Sequence, residues 1–513
     1  MKHWPIVRRL SWNKLTLVFS ALLVTTSAVF YASLFFFPAQ DGPGHVLNAY
    51  AMLGSLQGTH PFASEFWAAY DPVFLISNCF GTLVIMIGGI AGDYEAGYRC
   101  LLLVCVLITA SGFAWLYRSM NKEWGDGLVP GAVVIVFMHE LFLGFFNWAA
   151  GLGIGFACIA YWVQTRHRPG WKAPVILGLM WLLAFWVHAL ACNMLLFSYI
   201  AISGFGVLFD RGGMKTRDLM IRWYAPLIPA AAACIYYASL IPSDNAGDWN
   251  FIFVYENFRY VEVIRPFHDK ALWTGRAIGV LFLIGIVEAM LERFSEKKRP
   301  GIQDGVLAAS ALFVLAFVLM PFARFLTTYQ IDDLVNPGRI GAYLNTRMLA
   351  PGVLLMCVWY GSRKTPWARA MTAGIALLSL VHGSVIAAEC LKVQDDFKEI
   401  SAAGSAIPPQ SVVMHESSSP EMGARHGNYY THPYVHTTAL AVVKSQDSIY
   451  LGRFGANSGY LFPHQFMKKA RKLECDTVLV WKGSNREWPD YEKLYGSDKV
   501  TLYKKTRTPS TLL

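Results

Sequence analysis

Uncharged apolar runs of about 20 residues recur along this chain of 513 residues and constrain its fold more than any other feature. A helix needs about 20 apolar residues to cross the hydrocarbon core of a bilayer. The sequence therefore predicts a polytopic α-helical membrane protein with about eleven transmembrane helices. The predicted crossings are 15–37, 98–117, 128–145, 146–163, 173–187, 189–208, 224–241, 271–291, 305–321, 347–361 and 368–388.

The composition supports a membrane location. Hydrophobic residues make up 55% of the chain and charged residues 15%, whereas soluble domains carry about 25% charged residues. The net charge of +10 comes from Lys and Arg in short loops between apolar runs, which is typical of membrane topology and argues against a nucleic-acid partner. The nine cysteines show no CxxC or Cys/His spacing, so they predict no metal site.

The basic loops predict which side each helix end faces, because short cytoplasmic loops are rich in Lys and Arg. The N-terminus is then cytoplasmic, Asp41 is outside, and the loop at Arg118 is inside. Only one crossing fits between those two residues, yet both 72–92 and 98–117 are apolar, so we assign the Gly-rich 72–92 as a re-entrant or interfacial segment. The basic clusters are Arg8, Arg9 and Lys14; Arg166, Arg168 and Lys172; Arg211, Lys215, Arg217 and Arg222; Arg293, Lys297, Lys298 and Arg299; Arg363 and Lys364.

Two domains are expected. Residues 1–390 form a transmembrane domain whose first outer loop is 38–97, and residues 391–513 form a small extracytoplasmic α/β domain with more charged residues. Strand-like stretches in the second domain are 411–415, 476–482 and 499–505, and 424–440 is predicted to be a polar loop.

Cys390 and Cys475 are the only two cysteines predicted on or near the oxidising side of the membrane. Disulfides form in such compartments. The sequence leaves open whether these two residues are bridged.

Asp41 and His45 begin the first outer loop directly after an apolar anchor, and 46–57 has the apolar spacing of a helix that lies on the membrane surface. Asp41 is thereby placed at the membrane edge. One interpretation is that it only caps the following helix or turn. The other is a functional carboxylate.

His139 and Glu140 lie inside an otherwise uncharged apolar stretch. An ionisable residue at the middle of a membrane costs about 2.5 to 3.5 kcal/mol on insertion scales, so such a placement usually marks a functional site. The alternative is that both residues meet water at the outer interface. His188 ends a Trp- and Leu-rich run at a predicted outer turn, where a histidine is more often a packed residue than a ligand.

Four arginines lie on the predicted outer side, where the positive-inside rule disfavours them: Arg99, Arg324, Arg339 and Arg347. A guanidinium at the lipid interface can bind phosphate oxygens with two parallel hydrogen bonds. This favours a lipid-phosphate substrate, and the alternative is ion pairing with Asp332 and Asp333.

The order of these features resembles the GT-C glycosyltransferases, a superfamily that includes protein O-mannosyltransferases and the lipid A aminoarabinose transferases. The shared features are an anchor helix, the outer-loop Asp41, a surface helix, the acidic-X-Ala-X-X-Arg element from Glu95 to Arg99, a further outer acidic residue and a C-terminal outer domain. The resemblance covers the topology of nearly the whole chain.

The resemblance implies transfer of a sugar from a polyprenyl-phosphate donor to a glycan, lipid or protein acceptor on the outer face of a bacterial inner membrane. Asp41 would be the base, and His45, Glu95, Arg99, His139, Glu140, His188, Arg324, Arg339 and Arg347 would contact substrate. His139-Glu140 departs from the acidic-X-acidic pattern of metal-dependent members, so no metal ligand is assigned and a divalent cation stays open.

A transporter or flippase for a lipid-linked or small solute is the alternative function. Glu140 and His188 would then line a path across the bilayer. No symmetry between two halves supports this alternative, and a sizeable outer C-terminal domain is not expected of it.

The topology can be tested with reporter fusions. A reporter after residue 124 should report the cytoplasm and one after residue 400 the outer side, because the basic clusters require it. A fusion at residue 95 should report the outer side. Cytoplasmic signal at 95 together with external signal at 124 would contradict the assignment of 72–92.

Overall fold

The structure is a computed structural model, and the helices of its described residues account for the membrane character of the chain. The described residues are 11–59, 77–209, 216–240, 268–296, 300–319, 344–363, 367–416, 434, 437–445, 448–450, 475–481 and 488–506.

Seventeen α-helices lie in the described ranges, and most of them are apolar. They are α1 Trp12–Ser33, α2 Gly42–Gln57, α3 Phe80–Ile90, α4 Tyr94–Met120, α5 Leu128–Phe137, α6 His139–Leu143, α7 Phe146–Thr165, α8 Lys172–Val187, α9 Ala189–Phe209, α10 Thr216–Tyr224, α11 Ile228–Leu240, α12 Leu272–Ser295, α13 Ile302–Leu319, α14 Leu344–Tyr360, α15 Ala368–Lys392, α16 Gln394–Ala403 and α17 Thr438–Lys444.

Six helical stretches in the described ranges are long and apolar enough to span a bilayer: Trp12–Ser33, Tyr94–Met120, Phe146–Thr165, Ala189–Phe209, Arg217–Tyr236 and Ala368–Ala406. Large apolar side chains such as Leu22, Phe197 and Leu377 are exposed on their surfaces, as expected where lipid replaces water. The predicted membrane class is confirmed, whereas the number of eleven crossings stays a prediction.

The predicted re-entrant segment 72–92 contains only α3 among its described residues. A helix of 11 residues rises about 16 Å, roughly half the hydrocarbon core. It packs back against the start of α4, where Gly88 meets the backbone of Gly97 so closely that a Cβ would not fit. Its length fits a segment that enters the membrane without crossing it.

The third predicted crossing, 128–145, is not one helix. α5 ends at Phe137, just before Met138, whose backbone is extended (φ −60°, ψ 134°), and the short α6 then ends just before Gly144. The Tyr31 hydroxyl donates a hydrogen bond of 2.9 Å to the carbonyl of Val136 in the last turn of α5. The predicted turn residue Asn147 instead lies inside α7, so the turn prediction was wrong by about three residues.

The predicted close packing after this turn is confirmed. A Cβ on Gly153 would overlap the backbone of Ile108 in α4, and one on Gly155 would overlap Leu195 in α9. The side-chain oxygen of Asn147 accepts a hydrogen bond of 2.7 Å from the backbone of Gly81, so this residue holds the start of α3.

The C-terminal region contains a five-stranded sheet with strand order β2-β1-β3-β5-β4. The strands are β1 Val412–Glu416, β2 Ile449–Tyr450, β3 Thr477–Trp481, β4 Tyr491–Gly496 and β5 Val500–Lys505. β1 pairs in parallel with β2 and β3, while β5 is antiparallel to β3 and β4. The small α/β fold is confirmed.

Sequence patterns found three of these strands. They missed β2, which has two residues, and β4, which is mostly polar and half-exposed. Part of the predicted polar loop 424–440 is also helical, because α17 begins at Thr438; most of the rest lies outside the described residues. Cys390 and Cys475 are both free thiols.

Two contacts attach this C-terminal region to the segment before Asp41 and to the start of α4. Gln394 donates to the carbonyl of Phe36 (3.0 Å) and accepts from its N–H (3.1 Å), so one side chain satisfies both backbone groups of that residue. Lys444 in α17 forms an ion pair of 2.6 Å with the buried Glu95 in the first turn of α4. The C-terminal region therefore contacts both the segment that leads to Asp41 and the first turn of α4.

Candidate active site

The turn between α6 and α7 holds the first loop in place. Gly144 has φ +93°, a conformation that glycine adopts without strain. The carbonyls of Phe142 and Leu143 accept hydrogen bonds from the N–H groups of Gln40 (2.8 Å) and Asp41 (3.1 Å). A Cβ on Gly144 would lie 3.0 Å from the Cβ of Asp41, so the two backbones touch.

The carboxyl group of Asp41 does not cap α2, although its position just before Gly42 makes it the N-cap residue. The side chain makes no capping hydrogen bond, and Oδ1 is shielded from solvent without a hydrogen-bond partner among the described residues. Capping of α2 therefore does not explain this residue. An unpaired buried carboxylate oxygen is costly unless something else meets it.

Burial raises the pKa of Asp41 from 3.8 to about 7, although the positive charge of Arg347 opposes the rise. A low-dielectric environment disfavours the charged form of a carboxyl group. A general base with a pKa near neutrality can both hold and release a proton under physiological conditions. Asp41 is therefore suited to proton transfer.

His45 lies one turn further along α2. Its Nε2 is 2.8 Å from the carbonyl oxygen of Gly144, to which it donates in the tautomer protonated at that nitrogen. Its ring packs 5.6 Å from the ring of Phe146. Burial lowers the pKa of His45, so its neutral form is favoured.

Arg347, in the first turn of α14, is the buried cation of the site. Only 1% of its surface is exposed, and its Cζ lies 3.8 Å from the centroid of the Phe145 ring. Its Nε has no hydrogen-bond partner among the described residues. The charge of Arg347 acts on both Asp41 and His188, so the guanidinium lies near both side chains.

Three other predicted site residues lie around the same turn. His139 and Glu140 are buried in the first turn of α6, and the carbonyl of Glu140 accepts from the N–H of Phe145 at 2.8 Å. His188 separates α8 from α9 because its backbone is extended. Its Nδ1 accepts a hydrogen bond of 3.2 Å from the N–H of Ala191. Gly151 of α7 lies directly against the His188 side chain.

The other predicted residues are placed differently. Glu95 is paired with Lys444, and Arg99 forms a partly exposed ion pair of 3.6 Å with Asp93, the residue that caps α4. Arg324 and Arg339, like Asp332 and Asp333, lie outside the described residues. Five predicted residues therefore lie around the Gly144 turn, namely Asp41, His45, His139, Glu140 and Arg347, and a sixth, His188, packs against α7 at Gly151.

A divalent cation does not fit the described donors. No three His, Cys, Asp or Glu side chains in the described ranges are arranged to hold a metal ion. The charged neighbour of Asp41 is itself a cation, Arg347, which would repel a metal ion there. We derive no step through a metal.

Sequence reasoning missed two residues that shape the site. Tyr98 stacks on Phe36 with centroids 4.2 Å apart, and its hydroxyl donates a hydrogen bond of 3.2 Å to the carbonyl of Phe37. Gly42 leaves room for that hydroxyl, which a Cβ would overlap. Phe145 supports Arg347. Aromatic residues in apolar helices are so common here that neither stood out from the sequence.

The fold resembles that of a solved structure, ArnT from Cupriavidus metallidurans in the apo state. The TM-score is 0.51 at 9% sequence identity, and the match covers 95% of this chain and 97% of that chain. The chain therefore shares the fold of that structure. No protein-family model matches the sequence, and no curated protein matches it significantly. At this identity the likeness shows the fold alone.

The unusual pKa of Asp41 gives a stability test that needs no substrate. Below about pH 4 the carboxyl group is neutral in both folded and unfolded chains, and stability is then lost as the pH rises towards 7, because only the unfolded chain ionises easily. Asp41→Asn should therefore raise the Tm by several degrees at about pH 8 and by much less at about pH 5, measured by thermal unfolding of the purified protein.

Asp93→Asn is the matched control. Asp93 is also an N-cap residue at the start of a helix, but its side chain is partly exposed, pairs with Arg99 and accepts from the N–H of Ala96 at 2.8 Å, a bond that Asn can also accept. A Tm difference for Asp41→Asn that does not grow with pH would contradict a buried carboxyl group with a raised pKa.

Proposed function

We propose that this chain is a membrane glycosyltransferase. It transfers a sugar from a polyprenyl-phosphate donor to an acceptor hydroxyl at the extracytoplasmic face of a bacterial inner membrane. The observation that carries the proposal is the buried carboxyl group of Asp41, whose Oδ1 is unpaired, near the buried Arg347 in a fold shared with the ArnT structure. This arrangement supplies a base and a cation at one place.

The reaction needs both groups. Asp41 accepts the proton of the acceptor hydroxyl as its oxygen attacks the anomeric carbon. The bond between that carbon and the phosphate oxygen breaks, and the electron pair leaves with the phosphate. Arg347 stabilises the negative charge that develops on this leaving group, because a preorganised guanidinium in a dry site is strongly attracted to phosphate oxygens.

Arg347 is better placed for this role than Arg99. Its guanidinium lies on the Phe145 ring with a free Nε, whereas Arg99 is engaged by Asp93 on a partly exposed surface. The Phe145 contact also fixes the plane of the guanidinium, which reduces the conformational entropy lost when a phosphate binds. His139, Glu140 and His188 line the same region and are proposed to contact substrate.

Asp41→Asn is the direct test of the base. It keeps the shape of the side chain but removes the ability to accept a proton. The variant should reach normal levels in the membrane while sugar transfer falls by about 10² to 10⁴, as expected for loss of general-base assistance. The measurement is transfer from polyprenyl-phosphate sugars by purified protein in lipid nanodiscs. Donor binding should change little.

Wild-type transfer rates for purified Asp41→Asn protein would remove Asp41 from the catalytic role. The transporter alternative would be favoured if the wild type transferred no sugar and if substitutions at Glu140 and His188, but not at Asp41, reduced the flux of a solute across the membrane.

Variants of Arg347 test the leaving-group cation. Arg347→Ala should weaken donor binding more than Arg347→Lys, which keeps the charge but loses the paired hydrogen bonds. Because the charge of Arg347 lowers the pKa of Asp41, its removal should also shift the lower inflection of kcat/KM from about pH 7 to higher pH. The pH profile and donor affinity of both variants are compared with those of Arg99→Ala. Equal, negligible effects in all three would exclude both arginines from phosphate binding.

A further inference from the structure

The side of α2 that carries His45 and Asn48 is half-buried, while most of the helix is fully buried. From Gly42 to Leu53, only His45, Asn48 and Tyr50 are not buried, and the Tyr50 ring packs against Tyr94 at 5.7 Å. Asp41, His45 and Asn48 are spaced i, i+4 and i+7, so they follow one another along one side of the helix. A continuous polar stripe therefore extends from Asp41 along α2.

The side-chain oxygen of Asn48 has no evident structural role in the fold. Its Oδ1 is shielded from solvent and has no hydrogen-bond partner among the described residues, although it lies in the middle of a helix whose backbone groups are paired. Buried polar side-chain atoms normally have a partner, and leaving one unpaired destabilises the folded state. Because the amide needs a donor from outside α2, its position points to a ligand with hydroxyl groups.

The separation of Asp41 and Asn48 along α2 matches the size of a sugar. Seven residues of α-helix place Asn48 about 10 Å along the axis from Asp41. A sugar whose reacting group lies at Asp41 can therefore present a hydroxyl on the far side of its ring, or on the next ring, to Asn48. His45 lies between them with its Nε2 directed to Gly144, so Asn48 is the unpaired acceptor on this stripe that lies beyond Asp41, whose own Oδ1 also lacks a partner among the described residues.

We propose that Asn48 binds a carbohydrate hydroxyl through its side-chain oxygen and thereby determines which sugar is used. This inference rests on the proposed glycosyltransferase function and deepens it. The hydroxyl belongs either to the donor sugar or to a glycan acceptor, and the two sources present the same chemistry to the amide. A site built around such a bond rejects a sugar that lacks the hydroxyl, since the amide is then left unpaired.

The experiment uses full-length protein in nanodiscs with a polyprenyl-phosphate sugar that the wild type transfers. Single-deoxy analogues of the donor form one arm, and single-deoxy analogues of a glycan acceptor form the other. For the wild type, one analogue should lower kcat/KM by about 10²-fold or more. Asn48→Ala should show a similar loss on the parent sugar and no further loss on that analogue. The arm in which this occurs identifies the source of the hydroxyl.

Two variants separate recognition from folding. Asn48→Asp retains an acceptor oxygen at the same position and should keep the discrimination against that analogue. Gln57→Ala, an exposed change at the end of the same helix, should match the wild type in both rate and selectivity. If Asn48→Ala fails to fold, as judged by thermal unfolding, loss of discrimination in folded Asn48→Asp protein would overturn the proposal.

The outcomes also distinguish this inference from the function on which it rests. Folded Asn48→Ala protein that matches Gln57→Ala and still discriminates against the same analogues would overturn the role of Asn48 and leave the glycosyltransferase standing. A wild type that neither transfers sugar from any donor of the panel nor gains thermal stability from it would overturn both.

Discussion

The backbone contact between Gly144 and Asp41 is the constraint on which the rest of the site depends. A left-handed glycine ends α6, and the carbonyls just before it hold the N–H groups of Gln40 and Asp41. In the same turn, the Gly144 carbonyl oxygen is hydrogen-bonded to His45, and the Phe145 ring packs against the guanidinium of Arg347. One tight turn thus positions a carboxyl group, an imidazole and a guanidinium, and a side chain larger than hydrogen at residue 144 would separate them.

This arrangement lowers the stability of the folded protein. A carboxyl group with a pKa near 7 and a buried arginine with an unpaired Nε both destabilise the folded protein relative to fully paired groups. Such groups persist where the surrounding structure holds them in place. Here Gln394 pairs with both backbone groups of Phe36, and Lys444 pairs with Glu95 one turn before Tyr98. The C-terminal region thereby supports the segment that leads to Asp41, which gives it a structural role in the proposed chemistry.

Sequence patterns predicted the elements with strong periodicity or composition. The apolar runs gave the helices of the membrane region, and three β-rich stretches gave three of five strands. The glycines after residue 150 predicted close helix packing, and the structure shows that the partners of α7 there are α4 and α9. The break at Met138 was missed because it lies in a continuous apolar run, and apolar sequence carries no signal for where a buried helix ends. The pairing of Glu95 with Lys444 was missed because the two residues lie 349 positions apart.

The sequence by itself determined that this protein is a helical membrane protein with a small α/β domain, since apolar length and charge placement are set by the solvent that each segment meets. It also singled out Asp41 and Arg347, because charges beside apolar segments are costly and therefore rare. Only the tertiary structure decided that these two residues lie together, that Asp41 does not cap its helix, and that Arg99 is engaged elsewhere. The physical reason is that burial and pairing of a charge depend on contacts between helices distant in sequence, which local patterns do not encode.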